Sequence, residues 1–362
     1  MKLAGHTLSS DTRPFIVAEM SGNHGGSLDR ARAIIDMAAE AGADAIKFQT
    51  YEPDTITLDA DGPDFRVGNA LWEGARLYDL YEKAHTPFAW HPDLFAHARA
   101  RGIMPFSAPF DVSAVELLES LDCPAYKIAS PELVDIPLIR KVAGLGKPMI
   151  LSTGMATPDE IDEAVNALKG AGDPPFMLLH CVSSYPADVA DARLGAIAAL
   201  RARYGCLVGL SDHSRGGAVP AAAVALGAAL IEKHVCLGRD GSGSDDAFSL
   251  TPEELRCLVA DSRALHRACR DAAIGPTAAE ADTRRFRRSL YVTADVQAGD
   301  RVGPDNVRSV RPAAGLHPRY LDRVTGCTFR RAVPRGTPLK AEHLNDWEAW
   351  EADYDAAPMQ PK

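Results

Sequence analysis

The amino-acid sequence predicts an α/β protein, a (β/α)8 TIM barrel followed by a small β-rich domain. Three observations support this fold class. Strand-like and helix-like segments alternate from residue 14 to residue 269, the alternation gives eight units, and short strands and turns replace it after residue 285. Such alternation builds a parallel sheet with right-handed crossovers. Eight consecutive units favour a closed barrel over an open doubly wound sheet, and no dinucleotide-binding glycine pattern follows the first strand.

Each unit of the barrel is predicted from its own residues. The strands are short apolar runs at 14–20, 45–50, 104–110, 125–130, 148–153, 177–183, 207–213 and 230–235. The helices follow at 27–42, 91–102, 112–122, 135–145, 157–171, 191–204, 215–228 and 252–269. The clearest helix start is Thr157-Pro158 with Glu160, which supplies an N-cap, a first-turn proline and a capping glutamate. Thr251, Pro252 and Glu254 repeat this pattern.

The connection between the second strand and its helix is unusually long. Residues 51–90 carry several aromatic side chains, among them Trp72, Tyr78, Tyr81, Phe88 and Trp90, and residues 71–84 have a helical pattern. A long insertion at the C-terminal rim of a barrel usually serves function, as a lid or an interface. The alternative is a surface excursion with its own hydrophobic cluster.

Length and composition set the domain organisation. The 362 residues suit a barrel of about 250 residues plus a second domain. We predict a barrel over 1–270 with the rim insertion at 51–90, a small polar linker at 271–285, a β-rich domain at 286–346 and an acidic, frayed tail at 347–362.

Charge and cysteine content exclude several classes of function. The net charge of −10 argues against a general nucleic-acid or anionic-membrane surface. No stretch approaches the roughly 18 apolar residues of a membrane span, and the first ten residues do not resemble a signal peptide. Seven scattered cysteines without a CxxC pair indicate reduced thiols. We therefore expect a cytoplasmic protein with no nucleic-acid and no membrane partner.

Catalytic groups of a barrel lie at the C-terminal ends of its strands, and here these ends are unusually polar. They carry Glu19, Ser21, Asn23, His24, Lys47, Gln49, Ser107, Asp111, Lys127, Ser130, Glu132, Ser152, Thr153, His180, Ser183, Tyr185, Ser211, His213, Glu232, Lys233 and His234. Successive side chains alternate between the barrel interior and the helix layer. Ser211 therefore shares a face with His213, whereas Asp212 faces away and is predicted to have a structural role.

The two barrel lysines need a partner, because a desolvated ammonium is costly. Lys47 and Lys127 either pair with Glu19, Glu132 or Glu232, or they bind an anionic ligand. Hydroxyl groups at Ser130, Ser152 and Ser211 favour phosphate or carboxylate binding.

Two histidines end neighbouring strands. Adjacent strands lie roughly 4.8 Å apart, so His213 and His234 can reach one ion. Two imidazoles without a third protein ligand leave positions for water and substrate oxygens, as in a Lewis-acid site. The alternative is a pair of rim histidines hydrogen-bonded to Glu232 or to the backbone. For His180 we predict a hydrogen-bonded interior position.

Taken together, the strand-end motifs resemble the sialic acid synthase family. They are 15–24 (FIVAEMSGNH), 46–50 (IKFQT), 126–132 (YKIASPE), 151–155 (LSTGM), 179–186 (LHCVSSYP), 209–213 (GLSDH) and 231–234 (IEKH). Residues 286–346 resemble the antifreeze-like (SAF) domain of that family, so the likeness covers almost the whole chain. The resemblance implies condensation of phosphoenolpyruvate with an acylated amino sugar.

The resemblance also implies roles for individual residues. His213 and His234 match positions that hold a divalent metal, with Mn2+, Mg2+ or Co2+ the usual candidates. The positions that match phosphoenolpyruvate contacts are Lys47, Lys127, Ser130, Ser152, Ser183 and Ser211; those that match sugar contacts are Glu19, Gln49, Tyr185 and Asp245. Glu132 matches the proposed catalytic carboxylate, with Glu19 and Lys127 assisting. Arg311 matches an arginine that reaches the barrel of the partner in a domain-swapped homodimer.

Rim and second-domain motifs resemble the pseudaminic acid synthases within that family. They are 71–74, 77–81, 85–87 with Trp90, 107–111, 245–250, 286–291 and 315–320. Sialic and legionaminic acid synthases are the alternatives within the family. Ala108, Ser183 and Pro131 depart from the sialate-type pattern of threonine, asparagine and glycine, which affects individual phosphate contacts. The rival functions are a Schiff-base aldolase using Lys47 or Lys127 and a non-catalytic carbohydrate-binding protein.

Overall fold

The computed structural model of the protein describes residues 1–68, 73–345 and 347. The chain divides into two compact units, Met1–Ala272 and Ala273–Lys362. The predictions for Trp72, for the first two residues of 71–84, and for 348–362 in the tail lie outside the described residues. Among the described helices, none is both long and apolar enough to cross a membrane.

The first unit is a closed barrel of eight parallel strands, which confirms the predicted fold class. The strands are β1 (Phe15–Glu19), β2 (Ala45–Thr50), β3 (Met104–Pro109), β4 (Tyr126–Ile128), β5 (Met149–Ser152), β6 (Phe176–Cys181), β7 (Leu207–Asp212) and β8 (Leu230–His234). Strand β8 closes the ring against β1, with His234 opposite Glu19. A two-stranded hairpin, Lys2–Leu3 with His6–Thr7, precedes the barrel.

The helices of the first unit lie close to their predicted positions. They are α1 (Leu28–Ala41), α2 (Pro53–Ile56), α3 (Leu77–Ala84), α4 (His91–Ala100), α5 (Val112–Ser120), α6 (Ile136–Ala143), α7 (Pro158–Ala171), α8 (Ala196–Tyr204), α9 (Ala218–Ala225) and α10 (Pro252–Cys269). Short 3-10 turns occur at Pro63–Phe65, Phe88–Trp90, Pro131–Val134 and Val189–Asp191. Capping boxes at Thr157 and Thr251 start α7 and α10, as predicted.

Three predicted boundaries are wrong, each because of a local backbone conformation. Helix α8 begins at Ala196 and not at 191, because Arg193 has a φ of 43°, which a right-handed helix excludes. Helix α9 begins at Ala218 and not at 215, because Gly216 has a φ of 75°. Helix α3 begins at Leu77, since Gly74 has a φ of 78°.

The core of the first unit fills the barrel and the layer between strands and helices. Phe48, Phe106 and Tyr126 are fully buried, and the inward stripe of α1, including Ile34 and Ile35, packs in the same cluster. This packing fixes the strand ends, and therefore the polar side chains that project from them.

The second unit has a separate small core. Strands β9 (Ser289–Val292) and β10 (Val307–Val310) pair antiparallel, and short turns at Ala278–Glu280, Asp282–Phe286, Pro318–Tyr320 and Ala341–His343 accompany helix α11 (Leu321–Val324). Leu290, Phe329 and Leu339 are fully buried in its core. The segment predicted as a linker thus contains two 3-10 turns.

Candidate functional site

The C-terminal ends of the barrel strands surround a chamber of about 430 Å³. Twelve residues for which the sequence predicted a site role line it: Lys47, Gln49, Lys127, Ser130, Glu132, Ser152, Tyr185, Ser211, His213, Glu232, His234 and Asp245. The rim insertion also lines it, through residues of α2 and α3. The insertion is therefore part of the chamber and not a separate surface excursion.

Three of the predicted site residues lie outside this lining. Glu19 stands behind Lys47, and its carboxylate is fully buried. Ser183 and Ser130 both approach the backbone of Gly154, where a Cβ atom would collide with their hydroxyl groups. Arg311 belongs to the second unit and is exposed at the end of β10.

A buried ion-pair network occupies one part of the chamber. Lys47 Nζ lies 2.9 Å from Glu19 Oε2 and 3.4 Å from Glu232 Oε1. Lys127 Nζ donates a hydrogen bond of 2.9 Å to Glu232 Oε1. Internal pairing, one of the two predicted alternatives, is therefore present, with Glu19 and Glu232 as partners and not Glu132. Anion binding by the same lysines stays a prediction.

The two lysines have different electrostatic environments. Burial disfavours both ammonium groups, but the carboxylates of Glu19 and Glu232 outweigh it at Lys47 and raise its pKa above the usual range. Burial lowers the pKa of Lys127, which pairs with the carboxylate of Glu232 and also faces the charge of Lys47. The pKa of Glu232 is held low: burial opposes ionisation, but the charges of Lys127 and Lys47 prevail.

Several buried polar atoms at this chamber have no hydrogen-bond partner among the described residues. They are Ser152 Oγ, Glu132 Oε2, Glu232 Oε2, Ser244 Oγ and His234 Nδ1. Buried polar atoms are nearly always hydrogen-bonded in folded proteins, to protein, water or ligand. Their concentration around one cavity indicates a site for a polar ligand.

Glu132 differs from the other acidic residues of the chamber. It lies in the 3-10 turn Pro131–Val134, and burial raises its pKa to about 7. Its neutral and charged forms are therefore both populated near neutral pH, which is the requirement for a general acid or base.

The two predicted metal ligands are neighbours. The ring centroids of His213 and His234 are 5.2 Å apart. His213 Nδ1 donates to the carbonyl of Val182 at 2.9 Å, so in the neutral ring Nε2 keeps its lone pair. His234 Nδ1 is buried, lies 3.4 Å from Asp245 Oδ2, and has no hydrogen bond of good geometry in the described chain.

This donor set fits a divalent ion only if water or substrate supplies further ligands. In the part of the chain that the structure describes, no group of three or more His, Cys, Asp or Glu side chains is arranged to hold an ion. Two available imidazole nitrogens beside a polar chamber match an open Lewis-acid site and not a structural one.

Two side chains named from the sequence have structural roles, as predicted. Asp212 accepts hydrogen bonds from the backbone and hydroxyl of Ser214 and from Lys233 Nζ, at 2.8 to 3.0 Å. His180 Nε2 donates to the carbonyl of Ala192 at 2.6 Å. These hydrogen bonds account for the buried positions of both side chains.

Asn23 has a positioning role that the sequence did not reveal. Its amide nitrogen donates to Val235 O at 2.9 Å and to Ser249 Oγ at 2.8 Å, and its amide oxygen accepts from Asp245 N at 2.9 Å. These three bonds fix the rim loop after β8. Asp245 is thereby held against His234, and the hydroxyl of Ser21 donates to it.

Gln49 completes the polar side of the chamber near β1. Its amide nitrogen donates to Glu19 Oε1 at 3.0 Å and to Ser21 Oγ at 3.1 Å. Further lining residues that the sequence left without a site role are Ser21, Tyr51, Tyr81, Phe110, Cys181 and Ser244. Their position after strands, or the aromatic content of the insertion, was the available signal.

The sequence is similar to those of known proteins. Residues 34–273 match the model of the NeuB family, and residues 287–345 match the SAF domain. The chain is 41% identical to a pseudaminic acid synthase of Campylobacter jejuni serotype O:2, over 92% of this chain and 97% of the relative. It is 39% identical to the pseudaminic acid synthase of Helicobacter pylori, over 91% of this chain and 98% of the relative.

A solved structure is also similar. The N-acetylneuraminic acid synthetase of Leptospira borgpetersenii, determined in complex with citrate, is 34% identical with a TM-score of 0.70. The match covers 78% of this chain and 94% of that chain.

Proposed function

This chain belongs to the NeuB family and carries a SAF domain, and from that premise we propose that it is a pseudaminic acid synthase. The reaction condenses phosphoenolpyruvate with 2,4-diacetamido-2,4,6-trideoxy-L-altrose and water, and gives pseudaminic acid and phosphate. The observation that carries the proposal is a single chamber that combines two buried lysines, unpartnered polar atoms and a histidine pair.

Phosphoenolpyruvate binds, in this proposal, beside the ion-pair network. Lys47 and Lys127 neutralise its phosphate and carboxylate, and hydroxyls of Ser130, Ser152 and Ser211 donate to its oxygens. The unpartnered Ser152 Oγ supports this placement, because it has a free donor in a buried position. Ser183 contributes from beside Gly154.

The chemistry is a carbon–carbon bond formation followed by loss of phosphate. Carbon 3 of phosphoenolpyruvate attacks the aldehyde carbon of the open sugar, and water adds to carbon 2. The tetrahedral product then releases phosphate with cleavage of the carbon–oxygen bond. Glu132 gives a proton to the former aldehyde oxygen, and Glu19, 2.9 Å from Lys47 Nζ, accepts the proton of the attacking water.

The sugar lies against the side of the chamber formed by Gln49, Tyr185 and Asp245. His213 and His234 hold a divalent ion, with Mn2+, Mg2+ or Co2+ the candidates. When bound, the ion supplies polarisation of the sugar carbonyl. The hydrogen bond from His213 Nδ1 to Val182 orients that ring toward this task.

We extend the proposal to a domain-swapped homodimer, in which Arg311 of each subunit enters the chamber of its partner. Three apolar side chains that follow barrel strands support an interface at the rim, because they are strongly exposed: Val112 at 47%, Val134 at 57% and Met155 at 67%. The seven free thiols are consistent with a reducing, cytoplasmic location.

Complementation tests the swap. Arg311→Ala and Glu132→Gln subunits are each expected to be inactive alone. When they are co-expressed, a swapped dimer places the intact arginine in the chamber with the intact glutamate. About a quarter of wild-type activity should then return, because half of the dimers are mixed and half of their sites are complete. No recovery in proven mixed dimers contradicts the swap.

Phosphate release tests the function itself. The protein is assayed with phosphoenolpyruvate and three sugars in parallel: the diacetamido-trideoxy-altrose, the legionaminic acid precursor and N-acetylmannosamine. Preference for the first sugar supports the proposal. Turnover with only one of the other two sugars indicates instead the synthase that uses that sugar. Borohydride trapping of a covalent substrate adduct without phosphate release supports the aldolase alternative, and binding of sugar without turnover supports a carbohydrate-binding protein.

A further inference from the structure

One side of the chamber is apolar and has no role in the chemistry described above. We call it the apolar wall and define it as Tyr51, Ile56, Leu77, Leu80, Tyr81 and Phe110. Five of these residues come from the rim insertion, and Phe110 follows β3. The same chamber carries two ammonium groups and several hydroxyls elsewhere in its lining. One part of its surface is therefore polar and charged, and the other part is apolar.

Aromatic contacts hold the wall together. Tyr51 is 2% exposed and makes edge-to-face contacts with Tyr81, at 5.7 Å between ring centroids, and with Phe110, at 5.1 Å. Helix α3 is fixed at its start by Arg76, whose guanidinium lies 2.6 Å from Asp79 and 2.9 Å from Asp59. The wall is therefore a preformed surface that a ligand meets without first ordering it.

The wall also contains two polar handles. Tyr51 and Tyr81 both line the chamber, and each carries a phenol hydroxyl group. Burial raises the pKa of both phenols, so both keep their protons and can donate. Both tyrosines line the same chamber as Asp245 and Glu132, so both side chains lie near the proposed reaction site.

We propose that the apolar wall selects a sugar bearing N-acyl groups and a deoxy carbon. An N-acyl group offers one carbonyl acceptor beside one methyl group, and the wall offers phenol donors beside leucine and isoleucine side chains. A hydroxymethyl group in place of a methyl group would bring a hydroxyl against Leu77 or Leu80, where it finds no partner. The inference rests on the proposed function and assigns the sugar specificity of that same site to the insertion.

Two matched pairs of variants test the wall. Leu80→Ser places a hydroxyl in it, and Leu58→Ser makes the same change at a leucine of the insertion that is 64% exposed and outside the chamber lining. Tyr81→Phe removes one phenol oxygen, and Tyr78→Phe does so on the same helix at a tyrosine that does not line the chamber. Thermal melts of all four variants determine whether each of them is folded.

The substrates form a matched pair as well. One is 2,4-diacetamido-2,4,6-trideoxy-L-altrose, and the other is its 6-hydroxy analogue, which differs by one oxygen atom. For the wild type we expect a preference of about tenfold to a hundredfold for the deoxy sugar in kcat/KM. Leu80→Ser should reduce this preference by about tenfold, mainly through KM for the deoxy sugar. Tyr81→Phe should raise KM for both sugars about threefold to tenfold.

Both controls should keep the wild-type KM values and the wild-type sugar preference. The KM for phosphoenolpyruvate should change less than about twofold in every variant, because a twofold change corresponds to RT ln 2, which is well below the free energy of one hydrogen bond. The inference is wrong if folded Leu80→Ser and Tyr81→Phe variants leave the sugar KM values and the sugar preference unchanged. It is also wrong if these variants change the KM for phosphoenolpyruvate as much as they change the KM for the sugars. This failure differs from failure of the proposed function, in which the wild type itself releases no phosphate with either diacetamido sugar.

Discussion

Glu132→Gln is expected to make the barrel more stable and the chamber inactive. Burial raises the pKa of Glu132 from 4.5 to about 7, so folding favours its neutral form. Stability from this group is fully present below its unfolded-state pKa and is lost as the pH rises through the folded-state pKa. At pH 8 the wild type therefore bears a charged, buried carboxylate, and the neutral glutamine amide does not.

The magnitude follows from the two pKa values. The difference between 4.5 and about 7 corresponds to roughly 3 kcal/mol at about 1.36 kcal/mol per pH unit. Because the side chain lines an open chamber, we expect about 2 kcal/mol at pH 8, or roughly 4 to 8 °C in Tm for a barrel of this size. The difference should be small at pH 5. Phosphate release should fall about a hundredfold to ten-thousandfold, because a general acid is lost.

Urea denaturation followed by circular dichroism, at pH 5, 6, 7 and 8, measures the stability difference. Glu116→Gln, an exposed glutamate on α5, is the matched control, and its stability should follow the wild type at each pH. The reasoning is refuted if Glu132→Gln is less stable than the wild type at pH 8, or if the difference does not grow with pH. Full retention of phosphate release refutes the catalytic assignment separately.

Three further predictions test other parts of the site. Glu232→Gln removes the carboxylate that pairs with both chamber lysines, so we expect a loss of about 3–5 kcal/mol by urea denaturation. The same variant should gain more Tm from added phosphoenolpyruvate than the wild type does, and an equal gain would mean that the ligand does not bind Lys127. His213→Ala and His234→Ala should each lower phosphate release at least about tenfold to a hundredfold after chelation and metal titration. Full turnover of both variants after chelator treatment would exclude the metal role. Asn23→Ala removes three hydrogen bonds to buried groups, so we expect a loss of about 2–4 kcal/mol by urea denaturation, and a loss below about 0.5 kcal/mol would contradict its positioning role.

The parts of the site that the sequence predicted are local. Strand alternation has a period of two, and a parallel strand presents its last residues at one end of the barrel. These rules suffice to bring His213 and His234 together and to turn Asp212 away from the chamber. The same rules gave Glu19, Glu132 and Glu232 as candidate partners of Lys47 and Lys127 but did not choose among them.

The remaining features depend on contacts between distant segments. The choice of Glu232 over Glu132 as a lysine partner follows from side-chain paths across the barrel interior, which periodicity does not encode. Asn23 bonds to residues more than 200 positions away, so its neighbours in sequence gave no sign of its role. In the insertion, aromatic content predicted function, but only the docking of α3 decides that Tyr81 lines the chamber and Tyr78 does not.

The charge distribution of the chamber explains why Glu132 is the proposed acid. Lys47 and Lys127 are matched by Glu19 and Glu232, so these four charges cancel before substrate binds. Phosphoenolpyruvate adds a carboxylate and a phosphate, and a nearby negative charge raises the pKa of a carboxyl group. Among the described residues Glu132 makes no ion pair, and burial has already brought its pKa to about 7. The charges of Lys127 and Lys47 keep Glu232 ionised. Binding of the anionic substrate therefore favours the protonated form of Glu132. The proton is then in place before the sugar carbonyl reacts.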